Sequence, residues 1–183
     1  MAIRFLRSAA FAALVLLPPA VLAAPTAFTD MLGNPVPLAA PARRVVTLPM
    51  PAGSLLISLD GGAQHLAGMH PNAHELMKDG LLARMFPALA AIRTDITRSG
   101  FAPNVETLLQ IQPDLVWQWG HMGDDLIAPL RNAGLPVAAL LYGDEARSRE
   151  WIRLMGRSLG QEARAAPQLA WRDQVGADIG RVS

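Results

Sequence analysis

The stretch PNVETLLQIQPDLVWQW, Pro103 to Trp119, decides the fold. Pro103 and Asn104 read as a stop followed by a helix N-cap, because an asparagine side chain can accept the unpaired amide hydrogens of a first turn. Val105, Leu108, Leu109 and Ile111 recur at helical spacing, which predicts a short helix with one buried face. Pro113 ends it. Leu115, Val116 and Trp117 then form an apolar, β-rich run bounded by Pro and Gly, as expected of a strand covered on both faces in a parallel sheet. That run closes on Trp119 and Gly120. Ligands of an open α/β sheet sit at the carboxyl ends of its strands, so Gln118, Trp119 and His121 mark the expected site.

Outward from this segment the pattern repeats. Phe28 to Leu38 alternates around Gly33-Asn34, as in a small hairpin, and Arg44 to Leu48 is a compact strand. Pro49 to Ser54 reads as a loop into a helix over Leu55 to Leu59, closed by Gly61-Gly62. His65 to Met69 is the next strand, and Glu75 to Phe86 carries helical spacing up to Pro87. Asp125 to Asn132 is a further helix and Pro136 to Leu141 a further strand. Arg147 to Leu159 is amphipathic, with Trp151, Ile152, Met155 and Leu159 inward and its arginines outward, and Gly160 caps it. Helix-friendly residues resume at Gln161. The alternation predicts an α/β fold: a Rossmann-like lobe with a mostly parallel sheet.

The amino terminus has a different character. Arg4 and Arg7 precede an apolar run from Ala9 to Leu17, Pro18 and Pro19 break it, and Val21-Leu22-Ala23 supplies small residues for cleavage. Residues 1–23 therefore read as a cleavable secretory signal peptide; the apolar run is too short to span a bilayer. With no cysteine in the 183 residues, neither disulfides nor a lipid anchor is expected. A soluble periplasmic protein is the simplest outcome. The formal charge of +1 and an apolar content of 51%, with few aromatics, favour neither nucleic-acid binding nor disorder, and no later segment has the length of a transmembrane span.

The order signal peptide, FTDMLGNPVPL, ARRVVTLPM, Ala67-Gly68, PNVETLLQIQPDLVWQW, then Ala133-Gly134-Leu135-Pro136-Val137 resembles the substrate-binding proteins of ABC importers for iron siderophores, haem and cobalamin. Its most specific piece is the Asn-x-Glu, two-Leu, Pro-Asp-Leu-Val series with the Gly-x-Pro-Val strand following. The resemblance implies two α/β lobes joined by one long helix, with the ligand clamped between them. Residues 24–160 correspond to the amino-terminal lobe and 161–183 to the start of the connecting helix, with the second lobe missing and Pro167 set to kink that helix unless it lies in the first turn. The implied partners are a membrane permease and a small metal complex: a ferric siderophore, haem or cobalamin, with an oxyanion such as molybdate also within the family's range. No cofactor and no resident metal are implied.

The resemblance also assigns roles. Glu106 falls where the family presents an acidic knob to permease arginines; the plainer alternative is a solvated charge at a helix start. Trp119 resembles the family's ligand-contacting aromatic, whereas Trp117, on the same strand face, reads as core. Gln118 points to the opposite face and needs a partner if buried. Met50 and Ser54 after the first strand, and His70 and Asn72 after the second, should line the same rim. His70, His74 and His121 allow a zinc reading only if a carboxylate joins them, with surface histidines as the alternative. Tyr142 or His70 could ligate haem iron, although a structural tyrosine is the simpler role. Arg98 could meet an anionic chelate or sit in an exposed turn. The competing functional class is a zinc-dependent or other periplasmic enzyme, yet there is no G-x-S-x-G elbow or Walker loop, and His70 to Glu75 is not in zincin order. A non-binding accessory fragment is the third possibility.

Overall fold

The computed structural model describes residues 26–182. The signal-peptide reading of residues 1–23 lies outside them. Two strands, β1 (Thr26–Thr29) and β2 (Pro35–Leu38), form the antiparallel hairpin, and four parallel strands form the main sheet: β3 (Val45–Thr47), β4 (Leu66–Met69), β5 (Leu115–Trp119) and β6 (Val137–Leu140). Their spatial order is β4-β3-β5-β6, so the chain reverses its winding direction between β3 and β5. That reversal is the switch point at which an open α/β sheet leaves a crevice. The fold is the expected Rossmann-like parallel lobe.

Helices cover both faces. On one side α1 (Met50–Asp60), α6 (Glu145–Leu159) and the hairpin bury Val45, Leu115, Trp117, Ala138 and Leu140. On the other, α4 (Val105–Ile111) and α5 (Ala128–Asn132) bury Val46, Val116, Val137 and Ala139 beneath Leu108, Ile111 and Leu130. All five residues of β5 are buried, the consequence of a central strand with cover on both faces. Trp117 is fully buried and stacks on Phe28 of the hairpin, with ring centroids 5.7 Å apart.

The hairpin also closes the sheet edge. Asp30 is buried, and its carboxylate accepts from the Ala139 amide at 3.1 Å while the Met31 amide donates to the Ala139 carbonyl at 3.2 Å. Both outward groups of Ala139 are thus satisfied on a strand that would otherwise present a free edge.

Several local expectations are corrected. The first helix begins at Met50 rather than Leu55, because Pro51 falls in its first turn, where the missing amide costs nothing. The segment from Glu75 to Phe86 is two helices, α2 (Pro71–Lys78) and α3 (Leu81–Met85), separated at Asp79-Gly80, and Leu76 faces solvent. Asn104 occupies the N-cap position of α4 without a side-chain cap; its amide instead donates to the Asp95 carbonyl and the Thr107 hydroxyl. Leu109 is exposed, so the buried face of α4 is Leu108 and Ile111 with Val105 partly covered. The Asp125 helix is a 3-10 turn, Asp124–Leu126, followed by α5.

At Gly160, in the left-handed region with φ 64°, the chain turns back into α7 (Glu162–Val182). A Cβ on Gly156 would lie 2.8 Å from Ala165 Cβ, so glycine is what lets α6 and α7 approach here. Ion pairs of Arg149 with Asp173 and Arg172 with Glu145 fasten α7 to α6, and Gln168 bonds Ser58 of α1. Pro167 lies inside α7, beyond its first turn. Among the described residues no helix is long and apolar enough to cross a membrane.

Candidate functional site

The carboxyl ends of the four parallel strands form a rim of loops: Leu48-Pro49 after β3, His70 after β4, residues 120–123 after β5 and Leu141 to Gly143 after β6. An aromatic cluster occupies the middle of it. The Trp119 ring meets His121 at 4.9 Å, Trp151 at 5.4 Å, Phe101 at 6.1 Å and Tyr142 at 6.2 Å, all at tilted or edge-on angles. Such geometries are favoured by the quadrupoles of the rings.

Trp119 is the hub of this cluster and only 6% exposed, so its faces are covered by its neighbours. The surfaces that reach solvent are those of Tyr142, 66% exposed, and His121. The Trp119 ring, expected on the ligand side, is thus covered, and the two rings resting on it are what the rim presents to solvent. His121 Nδ1 accepts from the Tyr142 amide at 3.4 Å, which ties the β5 and β6 loops together.

Gln118 has the partners that its burial demands. Its side-chain oxygen accepts from the Trp119 amide at 2.8 Å, and its amide donates to the carbonyls of Phe101 at 3.1 Å and Leu126 at 3.4 Å. It is fully buried and holds two rim loops in place, which removes it from the surface a ligand can touch. The cause is topological: β3 ends at Thr47 and turns into α1, so the Trp119 amide is bonded by a side chain where a neighbouring strand has left.

His70 is likewise internal. The Asn72 amide donates to its Nδ1 at 3.2 Å, so the proton sits on Nε2, which donates to the Gly100 carbonyl at 3.1 Å. Burial pushes its pKa below the ordinary value, partly countered by the Gly100 bond. With both ring nitrogens committed to protein partners, His70 caps α2 and tethers residues 98–102; the expected ligand or haem contact is not available to it in this arrangement. His74 bonds the Leu89 carbonyl at 3.0 Å. The structure does not bring His70, His74 and His121 together as a metal set, and no group of three such side chains is arranged to hold a metal ion among the described residues.

Asn72 is exposed on the first turn of α2. Arg98 is exposed in a tight turn closed by the Ala102 amide on the Ser99 carbonyl, its guanidinium without a partner among the described residues. Met50 and Ser54 lie on the first turns of α1, with the Ser54 hydroxyl donating to the Pro51 carbonyl at 2.9 Å. Glu106 is exposed in the first turn of α4 and pairs with no cation among the described residues.

Beside the aromatic cluster a cleft of about 390 Å³ opens between α1, α6 and α7, lined by Ser54, Leu55, Ser58, Leu141, Tyr142, Arg147, Ser148, Trp151, Ile152 and Arg172, among others. Its size falls in the range of small-molecule pockets. Of these, only Ser54 and Tyr142 were marked by sequence reasoning. Arg147 reads in sequence as an outward arginine of an amphipathic helix, Ser148 follows it, and Arg172 comes from α7; only the docking of α7 brings them together.

No protein-family model matches the chain, and no curated protein matches it in sequence. Solved structures do match in fold. A periplasmic solute-binding protein from Veillonella parvula superposes with a TM-score of 0.81 at 22% identity, over 86% of this chain and 47% of that one. The molybdate periplasmic binding protein MolA of a Haemophilus influenzae ABC transporter, solved with molybdate, gives 0.69 at 20% identity, over 86% and 54%. Staphylococcus aureus SirA, solved with staphyloferrin B, gives 0.63 at 20% identity, over 81% and 47%. At these identities the likeness establishes the fold. The chain spans about half the length of these neighbours.

Proposed function

We propose that this chain is the ligand-binding lobe of the substrate-binding component of an ABC importer, which captures a metal complex at the carboxyl-end rim and presents it to a membrane permease. The observation that carries this reading is the superposition on a periplasmic solute-binding protein over 86% of the chain, combined with exposed Tyr142 and His121 at the switch-point rim. Flat chelates and macrocycles are held by aromatic faces with a few fixed polar groups, and this rim offers both. The ligand classes are an iron chelate, haem, cobalamin or a related complex, and no cofactor is needed. Export by a cleaved signal peptide into the periplasm, without a lipid anchor, belongs to the same reading. The helix α7, Glu162–Val182, is the start of its connecting helix.

Glu106 is the docking residue of this proposal. It stands free on the first turn of α4, where the helix dipole favours a carboxylate and an arginine of a partner can reach it. Glu106→Arg is expected to leave ligand affinity unchanged while abolishing uptake in cells; undiminished uptake contradicts the role. The enzyme alternative is less favoured, since the structural neighbours are solute-binding proteins and His70 and His74 are engaged with backbone carbonyls.

Binding itself is tested by tryptophan fluorescence, because Trp119 and Trp151 lie directly beneath the rim. Haem, ferric siderophores and cobalamin are titrated in turn. Saturable quenching by one of them supports the reading; no response to any of them overturns it.

A further inference from the structure

The cleft between α1, α6 and α7 has a one-sided inventory of polar groups. Arg147 Nη1 donates to the Tyr142 carbonyl, which leaves Nε and Nη2 without protein partners among the described residues. Arg172 meets Glu145 through Nη1 alone, and the Ser58 hydroxyl accepts from Gln168, so its own hydrogen is free to donate. The Tyr142 hydroxyl is a further donor. The other two serines spend their hydrogens on backbone carbonyls of Pro51 and Asp144. Among the described residues no Asp or Glu side chain lines the cleft. Its floor, meanwhile, is apolar: Leu55, Leu141, Trp151 and Ile152. A ligand that fits must bring acceptors to the donors and an apolar or planar body to the floor.

Charge points the same way. Glu145 is shared by Arg149 and Arg172, and Asp173 is paired with Arg149. Asp144 accepts the amide of Arg147 as the cap of α6, but among the described residues no carboxylate pairs with the Arg147 guanidinium. That planar fork, held at one corner by the Tyr142 carbonyl, is set to take a carboxylate. Backbone at residue 143 belongs to the device, because a Cβ on Gly143 would fall 2.5 Å from Arg147 Cδ.

We infer that the cleft receives the carboxylate of an organic anion whose apolar or planar body rests on the Leu141 and Trp151 floor, with Arg147 fixing the charge. This rests on the binding reading above and narrows its ligand class: carboxylate-bearing complexes are selected over neutral or cationic chelates and over a bare inorganic oxyanion.

The full chain is titrated calorimetrically with five probes: haemin and ferric citrate, which carry carboxylates; ferrioxamine B and cyanocobalamin, which carry none; and sodium molybdate. Haemin, which brings both carboxylates and a planar body, is expected to bind at least about tenfold more tightly than ferrioxamine B, cyanocobalamin and molybdate, with ferric citrate, which brings the carboxylates alone, in between and affinity falling as salt is raised. Arg147→Gln is expected to weaken that binding by about tenfold or more, and Arg147→Lys to restore part of it. Arg147 is exposed, so unchanged thermal unfolding of both variants shows that the loss is local. If a carboxylate-free probe binds as tightly as the carboxylates, or Arg147→Gln binds as the wild type does, the binding reading stands and this inference falls. If no probe binds, the binding reading fails and takes the inference with it.

Discussion

Gln118→Leu tests how the rim is built. The substitution nearly conserves volume at a fully buried position but removes three hydrogen bonds: from the Trp119 amide, and to the carbonyls of Phe101 and Leu126. The Trp119 and Leu126 contacts are buried, so water cannot readily replace them. Stranding a buried backbone group costs about 1–3 kcal/mol; two such groups, offset in part by the more apolar side chain, give about 2–4 kcal/mol. For a domain of this size that is about 4–16 °C in unfolding midpoint. The assay is thermal unfolding followed by circular dichroism, with Gln110→Leu on the exposed face of α4 as the comparison, where a change within about 0.5 kcal/mol is expected. If Gln118→Leu unfolds with Gln110→Leu, the three bonds do not carry the loops and the reasoning is refuted.

Two further outcomes follow from buried polar groups. Burial holds the His70 pKa below its ordinary value, so between the folded and unfolded values the unfolded chain binds more protons; stability is full above about pH 6.5 and falls as the solution is acidified. The unfolding midpoint of His70→Gln should lose less on going from about pH 7.5 to 5.0 than that of the wild type, and parallel curves would exclude His70 as the titrating group. Asp30→Ala removes the carboxylate that takes the Ala139 amide at the edge of β6 and is expected to destabilise by about 2–4 kcal/mol, measured by urea denaturation. An effect below about 0.5 kcal/mol would mean that the hairpin does not need Asp30 to hold the edge.

The central strand was readable because LVWQW is apolar throughout and bounded by punctuating residues; burial on both faces follows from such a run wherever it lies. The helix after β3 starts five residues before the expected Leu55, because Pro49 to Ser54 has the composition of a loop, although proline is welcome in a first turn. Leu76 and Leu109 show the limit of periodicity: both fit a helical stripe and both face solvent, since the neighbouring element covers a different arc. At the rim, Tyr142 and His121 were legible as strand-end residues on the correct side of the sheet. His70 was equally well placed in sequence, yet its bonds to Gly100 and Asn72 turn it inward, and a partner thirty residues away leaves no local mark. Arg147 reads in sequence only as an outward arginine of its helix, and Arg172 carries no mark in the helix-friendly run after Gln161, for the same reason. Their convergence depends on how α7 docks on α6, a contact that neither helix announces alone.

The most direct test of the account is hydrogen exchange on the full chain, with and without whichever of haem, a ferric siderophore or cobalamin quenches its tryptophans. Ligand is predicted to slow exchange at Gly120 to Gly123 and Leu141 to Ser148, the two loops that carry His121, Tyr142 and Arg147, and to leave Ala63 to Leu66 and Asp114 at the opposite end of the sheet unchanged. Protection confined to that opposite end would contradict a binding site at the carboxyl-end rim.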